Sequence, residues 1–166
     1  MTNALTMLKE DHKKVKALLE ELAEAPDRES RKRQELLGQI SLELVVHTTI
    51  EEEIFYPAFL GALKDKEDQK IYYEAQEEHK AAKVVLADLQ KADPASPSFH
   101  GKAKVLKELV LHHAKEEESE MFDQARSIFE KEELEELGRK LEARKKELLM
   151  KQANGVTAGR PAGASI

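Results

Sequence analysis

Four histidines and two glutamates stand at spacings suited to holding metal ions. His47 and Glu51 are four residues apart, as are His113 and Glu117, and residues four apart on a helix project from one face. His47 and Glu51 share that face with Leu44, Ile54 and Phe55, so it is expected to be buried. An imidazole and a carboxylate buried without partners would cost several kcal/mol. A cation satisfies both at once. Two further histidines interrupt apolar stripes at helical spacing: His12 among Leu5, Leu8, Val15, Leu19 and Leu22, and His79 among Tyr72, Ala75, Ala82, Leu86 and Leu89.

These residues belong to a repeat. The two His-x-x-x-Glu pairs match at an offset of 66 residues, which also lays Glu52 over Glu118 and Phe55-Tyr56 over Met121-Phe122. His12 lies over His79 at an offset of 67, with the same apolar spacing after it. The chain reads as one helical hairpin written twice, each copy carrying a lone His on its first helix and His-x-x-x-Glu on its second. This two-fold character predicts two ions, one held by His12 and His47 and the other by His79 and His113, with Glu51 and Glu117 bridging them. A mixed nitrogen and oxygen set suits iron and tolerates manganese or zinc. Six donors leave open positions on two ions, where dioxygen, peroxide, nitric oxide or water can bind.

Five helices are expected to carry this pattern. Asn3 is a suitable N-cap for the first, and Ala25-Pro26-Asp27 ends it. The second is expected over about Arg28 to Leu60, with Ile54, Phe55 and Ala58 continuing its inner row and Pro57 kinking it near its end. Gly61 to Asp68 reads as a charged turn, and Ala92 to Ser98 as a loop that ends with Ser96 capping a helix begun by Pro97. The fourth helix should turn Leu106, Leu109, Val110, His113, Glu117 and Met121 inward. A fifth, Glu132 to Lys151, presents Leu134, Leu137, Leu141 and Leu148 on one side and is expected to pack onto the other helices or onto another subunit. One domain over residues 1–151 and a disordered tail over 152–166 follow.

Composition bounds the partners. The chain has 166 residues, 40% hydrophobic and 36% charged, with seven Gly and five Pro, which fits an all-α domain with a sizeable core. The net charge of −6, with both signs interspersed along the helices, argues against nucleic acid or an anionic membrane as partner. Without cysteine there is no thiolate to bind metal. No apolar stretch approaches membrane-spanning length, and a cytoplasmic location is expected. His112, with Glu116 at the same spacing, competes with His113, but only His113 keeps the repeat aligned. His100, Glu52, Glu53, Glu116, Glu118 and Glu120 are expected on the solvated exterior, with one of the glutamates as an alternative supporting a ligand. Tyr56, Tyr72 and Tyr73 are expected in packing roles, with the alternative that one reaches the centre to donate a hydrogen bond to bound oxygen or to serve as a further ligand.

His12, His47-x-x-x-Glu51, His79 and His113-x-x-x-Glu117 resemble the hemerythrin-like, HHE cation-binding family, as do the stretch after His47 and the run from Glu132 to Gly138. The resemblance implies an antiparallel, up-down four-helix bundle, here with an additional C-terminal helix, around a non-haem di-iron centre with an oxo or hydroxo bridge. Oxygen-carrying members place two histidines four apart on the third helix, where this chain has Ala75 and Lys83 around His79. They also use an aspartate five residues after the fourth-helix histidine, where this chain has Glu117 at four. The pattern is more similar to the branch of di-iron repair proteins and iron sensors. The expected function is binding or reduction of a small diatomic molecule or peroxide in redox or stress response, or iron sensing. A metal-cross-linked structural bundle, with zinc for example, and iron storage are the alternatives.

Overall fold

Asn3 opens α1 (Ala4–Glu24) by accepting a hydrogen bond from the Thr6 N–H at 2.9 Å, which satisfies one of the donors a helix start leaves open. The computed structural model describes residues 3–158, and among them there are helices and no strand. Pro26 ends α1, and the Glu29 N–H folds back onto the Pro26 carbonyl at 2.9 Å. That turn delays α2 (Ser30–Ile50) by two residues relative to the expected start at Arg28. The helix then runs through a π-helical turn, Glu51–Phe55, into α3 (Tyr56–Ala62). After α4 (Lys70–Gln90), Ser96 caps α5 (Pro97–Glu116) by accepting from the Phe99 N–H at 3.1 Å, with Pro97 at the first position. A second π-helical turn, Glu117–Met121, leads into α6 (Phe122–Ile128).

A π turn lies just before Pro57, where the sequence predicts a kink. The Tyr56 N–H donates to the Glu51 carbonyl five residues back, so Pro57 falls in the first turn of α3, where a missing N–H is tolerated. The second turn, closed by Phe122 N–H to the Glu117 carbonyl, contains no proline. What the two share is a glutamate of the expected ligand set as first residue. Each turn inserts one extra residue, a device common at functional sites, and it shifts the buried row by one. Phe55, Tyr56 and Phe59 are fully buried, whereas Ile54 and Ala58, which an unbroken helical period points inward, are only partly so.

Two apolar clusters fill the interior. One gathers Leu5, Leu8, Ile50, Phe55, Tyr56, Phe59, Met121 and Phe122, and the other Val15, Leu19, Ile40, Leu44, Leu86, Leu89, Phe99 and Leu106. Each fully buried aliphatic or aromatic side chain contributes roughly 1.5–3 kcal/mol. Along each of α1, α2, α4 and α5 a histidine marks the boundary between the clusters: His12 between Leu8 and Val15, His47 between Leu44 and Ile50, His79 between Ala75 and Leu86, His113 between Val110 and Met121. A charged layer is thus held between two apolar ones. α1 packs on α2, α4 on α5, and α1 on α5.

α7 (Lys131–Ala158) lies against α1 and α2 and adds Leu134, Leu137 and Leu141 to the first cluster. It is longer than expected, and no proline lies within it. Helix therefore covers residues 152–158, which the sequence reading gives to a tail, and the remainder, 159–166, lies outside the described residues. No described helix is long and apolar enough to cross a membrane.

Candidate metal centre

All six expected donors meet in the layer between the two clusters. His12, His47, Glu51 and Glu117 form one group and Glu51, His79 and His113 another, all of them buried. Glu51, fully shielded from solvent, reaches both: its Oε1 lies 3.1 Å from His47 Nε2 and its Oε2 3.3 Å from His79 Nε2. Glu117 Oε2 lies 3.1 Å from His12 Nε2 and 3.9 Å from His113 Nε2. The ring centres of His12 and His47 are 4.7 Å apart, and those of His79 and His113 4.6 Å.

Every histidine turns Nε2 inward because a carboxylate faces its Nδ1. His12 Nδ1 donates to Glu118 at 2.9 Å, His79 Nδ1 to Glu52 at 2.8 Å and His113 Nδ1 to Glu78 at 2.8 Å. His47 Nδ1 lies 3.6 Å from Asp11 Oδ2. An ionised carboxylate only accepts, so the contacts at His12, His79 and His113 place a proton on Nδ1 and turn Nε2 towards the centre, the orientation that metal-binding histidines require. The arrangement repeats with the hairpins. The residue before each lone histidine (Asp11, Glu78) serves the second histidine of its own hairpin, and the residue after each central glutamate (Glu52, Glu118) serves the lone histidine of the other.

Cations stand behind three of these carboxylates. Lys83 Nζ donates to Glu52 Oε1 at 2.6 Å, Lys9 Nζ lies 3.9 Å from Glu118 Oε2, and Lys145 of α7 donates to Asp11 Oδ1. The C-terminal helix therefore reaches His47 through Asp11. Lys145→Met keeps the aliphatic stem and removes the charge; it is expected to leave the fold intact and weaken metal binding roughly 10–100-fold. Competition with a chelator measures this, and an unchanged affinity would show that Asp11 orients His47 unaided.

The electrostatics of the layer call for positive charge. Burial opposes an imidazolium at His12, yet the Glu117 and Glu118 carboxylates beside its ring outweigh it and hold the pKa at about 10. The same balance, with Glu51 and Glu52 as partners, holds His79 at about 9. His47 is raised as well, against its burial, by Glu51 and Asp11. Burial pushes the Glu51 carboxyl up, but His47 and His79 overcome it and keep Glu51 well below the ordinary carboxylate range. Even so, His12 Nε2, His47 Nε2 and all four oxygens of Glu51 and Glu117 lack a properly oriented hydrogen-bond partner. His79 Nε2 and His113 Nε2 face each other at 3.1 Å, where one proton at most can stand. Buried donors this close and this poorly satisfied fit cations, and the nitrogen and oxygen set fits iron, manganese or zinc.

Sequence reasoning left Tyr56, Glu52 and Glu118 as alternative members of this site and missed Asp11 and Glu78. Tyr56 is more than a packing residue, since its hydroxyl sits fully buried 3.3 Å from His79 Nε2, and burial with the charges of Glu117 and Glu51 pushes its pKa well above the ordinary value. Glu52 and Glu118 bend back from the exterior to the histidines, and Asp11 is buried. The repeat carried a signal for the carboxylates: an acid precedes both lone histidines, and Glu-Glu occurs at both 51–52 and 117–118. His113 is buried while His112 remains exposed on the outer side of α5.

A small cavity opens beside the donors, lined by the four histidines with Val15, Leu44, Ala82 and Val110. Its volume of about 20 Å³ has room for a single small molecule.

Comparison with known proteins identifies the family. The Hemerythrin HHE cation binding domain matches residues 3–125. A DNA nickase of Nostoc sp. is 30% identical over 146 residues, covering 88% of this chain and 40% of the nickase, so the chain spans less than half of that relative. The uncharacterized protein Rv2633c of Mycobacterium tuberculosis is 31% identical over 147 residues, covering 88% of this chain and 87% of that protein. The crystal structure of a hemerythrin HHE cation binding domain-containing protein from Mycobacterium kansasii, a homolog of Rv2633c, superposes with a TM-score of 0.82 at 29% identity, over 98% of this chain and 96% of that one. The chain belongs to the hemerythrin HHE cation-binding domain family.

Proposed function

We propose that this chain holds two iron ions in the charged layer of an antiparallel four-helix bundle and binds or reduces a small diatomic molecule or peroxide there, in redox or stress response or in iron sensing. The observation that carries the reading is the convergence of four oriented Nε2 atoms and two buried carboxylates on one interior point. His12 with His47, and His79 with His113, would each hold one ion, and Glu51 and Glu117 would supply the carboxylates shared between them. Iron bound there supplies one-electron redox chemistry and open coordination positions.

The chain's own residues do the rest. The carboxylates on Nδ1 fix the tautomer and aim of each imidazole. Val15, Leu44, Ala82 and Val110 give the adjoining cavity apolar walls and a size that admits molecules of two or three atoms. The Tyr56 hydroxyl does not line that cavity; a metal on His79 Nε2 would displace its present partner and leave the hydroxyl free to donate to a ligand on its own side of the donors. The net charge of −6 favours a small-molecule partner over nucleic acid.

Metal analysis of protein from iron-replete cells tests the proposal: two irons per chain are expected, with near-ultraviolet absorption that changes on reduction or on adding nitric oxide. Zinc at that stoichiometry, optically silent, would replace this reading with a metal-cross-linked scaffold, and many irons per chain would point to storage. Tyr56→Phe is expected to fold and keep both ions while binding nitric oxide roughly two- to tenfold more weakly, the worth of one hydrogen bond. An unchanged affinity would remove Tyr56 from the ligand-binding side.

A further inference from the structure

The α4 and α5 pair carries a second set of donors. Glu78, His112 and Glu116 each immediately precede a residue of the buried set His79, His113 and Glu117. One residue along a helix is a rotation of about 100°, so the set is repeated on the outward side of the same two helices. Its members converge: His112 Nε2 lies 3.3 Å from Glu78 Oε1 and 3.2 Å from Glu116 Oε1. The corresponding positions before His12, His47 and Glu51 are Asp11, Val46 and Ile50, all buried, so the first hairpin has no such copy.

We propose that Glu78, His112 and Glu116 form a third, outer cation site, which takes a borderline divalent ion such as zinc, manganese or ferrous iron from solvent. Three arguments support it. One ring nitrogen carries at most one proton, and two carboxylates aimed at it are better satisfied by a cation. The other carboxylates that orient histidines, Asp11, Glu52 and Glu118, each have a lysine ammonium behind them, whereas Glu78 meets His112 and, through it, Glu116. The positive charge that lysine supplies elsewhere is left here to an ion. Finally, one imidazole and two carboxylates select ions that accept nitrogen as well as oxygen, and disfavour calcium and magnesium.

The site is open where the buried one is closed. The His112 side chain is 58% exposed, so an ion reaches it without any movement of the helices. Glu78 gives Oε2 to His113 Nδ1 at 2.8 Å and Oε1 to the outer site, and both demands are met at once. The outer ion is therefore separated from the buried centre by one carboxylate and one imidazole.

Cobalt(II) titration of protein whose buried centre is already filled, followed by visible absorption, tests this. One further equivalent is expected, bound more weakly than the buried ions and removed first by chelator. His112→Ala and Glu116→Gln, both at exposed or half-exposed positions, should each weaken that equivalent about tenfold or more and leave the metal already bound unchanged. If the filled wild-type protein takes up no further equivalent, or both variants titrate like wild type, the outer site is refuted. Because only ions added to a filled centre are counted, that result would leave the proposal for the buried pair standing.

Discussion

Glu51→Ala is expected to empty the centre of both ions. Glu51 belongs to both donor groups, with one oxygen towards His47 and the other towards His79. On the proposed assignment its removal would take a ligand from each ion, together with a negative charge that would let two cations lie close. The fold suffers as well, because His47 and His79 both owe part of their positive charge to Glu51. Breaking one side of a buried ion pair costs about 3–5 kcal/mol, which for a chain of this size lowers the unfolding midpoint by roughly 6–20 °C. Metal content per chain and thermal unfolding measure the two effects. Glu51→Gln, which keeps the volume and one oxygen, should lose the metal with a smaller loss of stability. A Glu51→Ala protein that retains two tightly held ions would show that the carboxylate does not join them.

The sequence revealed this site because its signal is local and repeated. His-x-x-x-Glu places two side chains on one helical face whatever surrounds it, and a second copy 66 residues on makes coincidence a poor explanation. The caps at Asn3 and Ser96 and the breaker Pro26 were legible for the same reason, since each acts within one helical turn. What could not be read depends on contacts between helices. The π turns after His47 and His113 shift the buried row by one residue, so an unbroken period points Ile54 and Ala58 inward in place of Tyr56 and Phe59. Glu52 and Glu118 look solvated because a charge on a mostly polar turn usually is. Only the packing of the opposite hairpin brings a histidine within their reach. Lys145 likewise lies on a helix with none of the repeated donors, and its link to His47 runs through Asp11, 134 residues away.

The same charge balance predicts opposite pH behaviour for metal-free and metal-loaded protein. His12 has a pKa of about 10 in the folded chain and His79 about 9, against an ordinary value of 6.5. Below 6.5 folded and unfolded chains both hold these protons, and the stabilisation they provide is fully present. As the pH rises above 6.5 the unfolded chain loses its protons first, so unfolding becomes progressively less costly. The contribution of His79 is gone above about 9 and that of His12 above about 10. Metal-free protein should therefore lose stability steadily through this window. In loaded protein a metal ion stands in place of each proton, so that binding releases protons, and affinity rises with pH over the same range. Denaturant unfolding of stripped and loaded protein at the two ends of the window, with proton release recorded on loading near neutrality, tests both halves. If stripped protein is equally stable at both ends and loading releases no protons, the imidazoles are already neutral and the buried carboxylates must be held by something other than their charge.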